Sequence, residues 1–267
     1  MIDLMMNEKQ YIENVIRFGT INPDYPARDV NMLVRYCFHE FGMRRSRIIS
    51  YIDEFMYKHY AKDYNPFEWH PLVERYVRKA SGKKLIEINS VPITKSEIDT
   101  ISNANNLEAE KLLFTMLVIA KYKCMAYKAN GWVSESRDEL FRTANCKTKV
   151  NDRNSLIHTL FVDGFLELSR SNKKENWRIP FIDDESEVVL NITTTIDCGL
   201  QYRKFIGDDQ IIECIDCGKL FVESNPKSHN VSRCSNCQKV HENFEKRNLM
   251  RERRKQNVTE PKNLRSP

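Results

Sequence analysis

Four thiols crowd the C-terminal part of the chain: Cys214 and Cys217 in CIDC, then, after sixteen intervening residues, Cys234 and Cys237 in CSNC. Disulfide formation, dithiol redox turnover and metal binding all use thiols at this density. The opening MIDLMMNEKQ carries Asp3 and Glu8, without the basic start and continuous apolar run of a secretory leader. The longest apolar stretch, Leu112 to Ala120, contains Thr115 and is bounded by Lys111 and Lys121. It supplies about half of the roughly 20 residues needed to cross a bilayer. A soluble, cytoplasmic chain with reduced thiols is expected, where disulfides are rare. A redox pair normally stands alone, opening a helix in a βαβ unit. Here two pairs occur and neither lies in such a pattern. Metal binding is left.

The spacing suits zinc. Each Cys-x-x-Cys can turn both sulfurs toward one ion, and two facing turns complete a tetrahedron at about 2.3 Å per sulfur. Gly218 follows the first pair, where a positive φ lets backbone amides turn back toward the thiolates. Gln238 follows the second pair instead. Lys219, Lys227, Arg233 and Lys239 stand close enough in sequence to offset the charge of four thiolates. His229 and His241 are substitute ligands the sequence offers, although both pairs are intact without them. One structural zinc ion on Cys214, Cys217, Cys234 and Cys237 is expected.

The segment resembles a zinc ribbon: Cys214-Ile-Asp-Cys217-Gly-Lys, a short hairpin, and Cys234-Ser-Asn-Cys237 running into a charged helix. The resemblance covers about 40 of the 267 residues and implies a structural metal in a module that binds nucleic acid or protein. A closed four-ligand site has no open position for water or substrate, so no catalysis by this metal is expected.

The net charge of +5 resides in one place. From Lys239 to Pro267 nine Lys or Arg face four Asp or Glu, a surplus of five that equals that of the whole chain. Val240 and Phe244, four apart, are expected to pack the first turn of this helix on the metal module. Beyond them Arg247, Arg251, Arg254 and Lys255 fall on one helical face, a stripe suited to phosphate.

Enzyme signatures are absent from the sequence. Only eight glycines occur, none spaced as Gly-x-Gly, and no Walker loop, dinucleotide fingerprint, His-Glu-x-x-His or Gly-x-Ser-x-Gly is found. No catalytic residue and no small-molecule substrate are expected. A His-Asn-His-type nuclease is prompted by His229-Asn230 between the cysteine pairs, but Ser228 stands where a further histidine is needed. The acidic run Asp183-Asp184-Glu185 reads as a solvated loop.

The elements that position these residues are mainly α-helical. Residues 1–92 read as a helical domain, with an amphipathic hairpin on Val30, Leu33, Val34, Cys37, Phe38 and Phe41, then Ile48, Ile49, Ile52, Phe55 and Met56 beyond a break at Gly42. A further helix is expected from about Pro71 to Gly82. The aromatics Tyr51, Tyr57, Tyr60, Trp69 and Tyr76 are expected to close a small core and its rim, and the domain to offer a surface for a protein partner.

In 93–182, Thr94 and Glu97 form a capping box. LEAEKLLFTMLVIAKYKCMAY, 107 to 127, is the most apolar helix, followed by GWVSES as an extended piece, SRDELFRTA as a short helix, and RNSLIHTLFVDG as a helix burying Leu156, Ile157, Leu160 and Phe161. FLELS and WRIPF flank a polar tip as two strands. This order resembles a winged helix-turn-helix domain. The resemblance implies a third helix presenting Arg153, Asn154 and His158 to DNA, Lys147 and Lys149 on the preceding turn, and a wing presenting Arg170, Lys173 and Lys174. Winged helices also dock proteins.

Residues 183–209 read as a β-rich connector, 210–241 as the zinc ribbon, and 242–267 as a basic helix and disordered tail. The layout is similar to proteins of bacteriophages and mobile elements. The expectation is a DNA-binding regulator of transcription or replication accessory, with a protein-binding adaptor as the alternative.

Overall fold

A computed structural model of the chain describes residues 4, 6–169, 176–223 and 232–259, with side chains as far as Glu252. The described chain is mainly α-helical, with a few small antiparallel sheets.

Local signals in the sequence start the first helices. α1 (Glu8–Phe18) is opened by Asn7, whose side chain accepts from the Gln10 amide at 2.8 Å. α2 (Pro26–His39) begins on a proline, which loses no helical bond there. α3 (Arg45–His59) follows the break at Gly42. α4 (Pro66–Lys79) starts five residues earlier than the sequence suggests, because Asn65 caps it and Pro66 occupies its first position. Pro71 lies inside the helix at the cost of one backbone bond. A 3-10 turn, Ala80–Gly82, ends it.

These helices enclose one apolar cluster, built on Ile12, Val30, Leu33, Cys37, Ile48, Ile52, Met56, Val73 and Val77. Tyr51, Tyr60, Trp69 and Tyr76 line its rim, half-buried, while Tyr57 is exposed. One buried ion pair ties the cluster to the next segment. Arg35 binds the Glu8 carboxylate and also donates to the Lys84 carbonyl at 2.7 Å.

The second cluster surrounds a helix that is buried on every side. β1 (Val91–Thr94) leads into α5 (Lys95–Ser102), where the capping box forms as expected. Glu97 accepts from the Thr94 amide at 2.8 Å, and the same buried carboxylate receives Lys121 Nζ at 2.8 Å and the Asp183 amide at 3.0 Å. A local cap thereby becomes a tertiary joint. α6 (Leu107–Tyr127) buries Leu112 through Tyr122, which explains its uniformly apolar sequence and lack of a polar face.

Around α6 come β2 (Trp132–Val133), α7 (Arg137–Thr143), α8 (Val150–Val162), β3 (Glu167–Leu168) and β4 (Trp177–Arg178). β4 lies between β2 and β3 in one antiparallel sheet. α8 begins at Val150, one turn before Arg153. Ile157 and Leu160 are buried as expected and Leu156 is half-buried, whereas Phe161 turns outward.

The segment read as a connector contributes to this second core. β5 (Val188–Ile192) pairs antiparallel with β1, setting Val91 against Ile192. α9 (Cys198–Phe205), unanticipated from the sequence, lies on α6. Tyr202 meets Phe114 with ring centroids 5.2 Å apart and donates to Glu110 at 3.0 Å. Gly199 permits this approach. A Cβ there would stand 1.7 Å from the Ala144 carbonyl oxygen at the end of α7. β6 (Ile211–Glu213) and β7 (Leu220–Val222) form a hairpin against α9, and α10 (Ser235–Thr259) ends the described chain. No helix among the described residues is long and apolar enough to cross a membrane.

Candidate metal centre and its flanking helix

β6 delivers Cys214 to its end, and the hairpin turn returns the chain so that the Cys214 amide donates to the Lys219 carbonyl at 2.9 Å. Within that turn the Gly218 amide donates to the Cys214 carbonyl at 2.8 Å. Gly218 has φ of 68°, the conformation expected at the first knuckle. The second pair is built differently. Cys234 precedes α10 and Cys237 lies in its first turn, with the Gln238 amide bonded to the Cys234 carbonyl at 2.9 Å. A helical turn therefore replaces the glycine, which is why Gln238 is tolerated.

Two contacts hold the halves together. The Ile215 amide donates to the Ser232 carbonyl at 3.0 Å, and Arg233 pairs with Asp216 at 2.8 Å. The four sulfurs all lie within 4.8 Å of one another, and Cys217 and Cys234 are 3.8 Å apart. A tetrahedral ion with bonds of about 2.3 Å requires sulfurs about 3.8 Å from each other. A disulfide requires about 2.05 Å, and all eight cysteines are free thiols. The cluster fits one metal ion.

Electrostatics points the same way. The backbone amide of Cys234, helped by those of Cys217 and Asp216, pulls the Cys214 thiol down to about 6. The neighbouring sulfurs of Cys217 and Cys234 push the Cys237 thiol well above its ordinary value. Four thiols with only protons to share cannot all ionise, and a divalent cation removes that conflict. His241 stands 3.6 Å from Glu245 on α10, outside the cluster. His229 and Asn230, the residues behind the nuclease alternative, lie outside the described residues.

α10 leaves the cluster without covering its own apolar residues. Val240 and Phe244, expected to pack on the metal module, are 65% and 61% exposed. The three-residue strands of the hairpin pack on α9. Arg247 and Arg251 are exposed on the same side of the helix. Arg254 and Lys255 fall in the stretch of α10 described by backbone alone.

The other expected nucleic-acid contacts divide into groups. Lys147, Lys149, Asn154 and His158 are exposed along the approach to α8 and on its surface. Arg153 is engaged instead: its guanidinium pairs with Asp138 of α7 at 2.7 Å and lies 5.0 Å from the centre of the Phe141 ring. Arg170, Lys173 and Lys174 lie outside the described residues.

Fold and site together define a mainly α protein carrying a four-cysteine cluster able to hold one metal ion. No known protein family matches the chain, and no curated protein or solved structure matches it.

Proposed function

We propose that the chain is a zinc-containing DNA-binding protein, acting in regulation of transcription or as a replication accessory of a phage or mobile element. The observation that carries this reading is the junction of the four-cysteine cluster with α10: Cys237 lies in the helix whose exposed face continues through Arg247 and Arg251. A metal clamp at one end fixes the direction of a cationic helix, so its charges are presented rather than dispersed. Zinc is the ion favoured by four thiolates in a closed tetrahedral set. Such a set leaves no open coordination position, which supports a structural role and a protein that is not an enzyme.

The arrangement of α6, β2, α7, α8 and the β3–β4 hairpin supports a winged helix-turn-helix reading, since β2 joins the sheet beside β4. In that reading α8 enters the major groove. Asn154 and His158 are its exposed polar side chains, and Arg153, held on Asp138 and Phe141, sets the angle of α8 against α7. Lys147 and Lys149 approach the phosphates.

The exposed Val240 and Phe244 favour a second reading, an adaptor whose helix docks a protein. Fluorescence anisotropy of the metal-loaded chain with labelled duplex DNA at low salt separates the two. Binding that falls steeply as salt rises is the expected result. Absence of binding at low salt overturns the DNA reading in favour of the adaptor.

A further inference from the structure

A groove of about 650 Å³ opens where α2, the end of α4 and the 3-10 turn meet, and its charge is one-sided. Its lining includes Arg75, Arg78, Lys79, Lys83 and Arg35, with the half-buried Tyr76 between them, and contains no Asp or Glu. Arg35 is neutralised by Glu8. The other four have no carboxylate partner among the described residues. The nearest acid in the helix, Glu74, could serve Arg78 one turn later, but it faces His70 at 3.4 Å.

Local structure explains only part of this. Cations in the last turn of a helix are favoured by the backbone dipole, which accounts for Arg78 and Lys79. It does not account for Arg75, which stands at i, i+3 and i, i+4 to those two, positions where like charges repel. Nor does it account for Lys83, outside the helix, whose ammonium lies 4.8 Å from the centre of the Tyr127 ring at the end of α6. Arg75 is similarly braced, 5.6 Å from the Tyr76 ring centre. Two of the four cations are thus positioned by aromatic rings.

We infer that this groove is a phosphate-binding site, separate from the metal centre and from α10. Two arginine forks and two ammonium groups without internal acceptors match the oxygens of a phosphate or of adjacent phosphates. An anion bound there relieves the repulsion among them. The ligand chemistry is phosphate, from either a phosphodiester backbone or a free oligophosphate. The inference does not rest on DNA binding by α8 or α10.

The test uses the full metal-loaded chain and the triple variant Arg75→Gln/Arg78→Gln/Lys79→Gln, whose three side chains are exposed. Inorganic pyrophosphate is titrated calorimetrically, with metal content measured before and after, and a labelled duplex is titrated across a salt series. If the source is free phosphate, pyrophosphate binds the parent chain and the variant binds it at least about tenfold more weakly, with duplex binding unchanged. If the source is a nucleic acid, the duplex salt slope also becomes shallower by roughly 2 to 3, at about 0.9 per phosphate contact. Arg75→Lys/Arg78→Lys keeps the charge but loses the forks, so its binding is expected to fall between those of the parent and the triple variant, which separates loss of the site from loss of the fold. The inference is overturned if pyrophosphate affinity and duplex slope are both the same in parent and triple variant. Pyrophosphate binding without duplex binding sinks the DNA reading and leaves this site standing.

Discussion

The α6 core and the four-cysteine module solve the same problem with opposite means. Around α6, order comes from burial: Leu112 through Tyr122 are shielded by β-strands, α7 and α9, and the few charges inside are paired, as Lys121 is with Glu97. Around the cysteines, little is buried beyond Cys214 and Ile211, and the strands are three residues long. So small a hydrophobic contribution does not hold a module of this size without a staple. In the proposed reading, metal and packing are alternative sources of order in one chain, and the two are expected to be removable separately.

Metal removal is the largest perturbation. Structural zinc contributes about 10–16 kcal/mol of apparent binding free energy to small cysteine-rich modules. Cys217→Ser leaves an incomplete shell, so the variant is expected to lose its metal equivalent and the local order around the four cysteines, while the helical signal of the rest persists. Thiol alkylation at pH 8 checks this without a mutation. Burial pushes the thiols of Cys37, Cys146 and Cys198 up to about 12, so they stay protonated and unreactive. Chelation should therefore release four additional reactive thiols and spare those three. Labelling of Cys198 in step with the metal site would show that the two regions unfold together and break the comparison.

Phe114→Ala attacks the other side. Its ring is fully buried against Tyr202, and truncating such a residue costs about 3–5 kcal/mol. Urea denaturation should show that loss with one equivalent of metal still bound in the folded protein. A full stability loss accompanied by metal release at the same denaturant concentration would make the core and the module one cooperative unit.

The two regions were unequally legible in the sequence. Cysteine spacing pointed to the cluster, since two cysteine pairs, each with two residues between its thiols, match the ligand spacing of one four-thiolate site. Thr94 and Glu97 marked the start of α5, and the long apolar run marked α6, because capping and periodicity are local. What escaped was non-local. Nothing in VVLNI tells which strand it will meet, and β5 pairs across nearly a hundred residues with β1. α9 was hidden in a short octamer of mixed polarity whose packing depends on the absent side chain of Gly199. The packing of Val240 and Phe244 failed for a related reason: i, i+4 spacing defines a stripe but not whether anything is opposite it.

The charges on α10 test whether the region of the cysteine cluster also makes contact with nucleic acid. Replacing Arg247, Arg251, Arg254 and Lys255 with Ala should make the slope of log affinity against log salt shallower by roughly 2 to 4, with the preferred sequence unchanged. An unchanged slope would assign this face to a protein partner, where the exposed Phe244 would be the anchor.

The smallest effect concerns Arg153, which lies on the core side of the comparison although its sequence position suggested base contact. Its partner Asp138 is 71% exposed, so solvent screens the pair to about 0.5 kcal/mol. The guanidinium over Phe141 adds about 0.5 kcal/mol. Arg153→Ala is therefore expected to lower stability by about 1 kcal/mol and, by loosening α8 on α7, to weaken all DNA sequences alike. Asn154 is exposed on the next position of the helix. Asn154→Ala should leave stability within about 0.5 kcal/mol and relax preference at one base position. Selection of bound duplexes with both variants, alongside their denaturation curves, decides the roles. A motif altered by Arg153→Ala at a single position would return that side chain to base reading, since a residue that only positions the helix has no means of favouring one base over another.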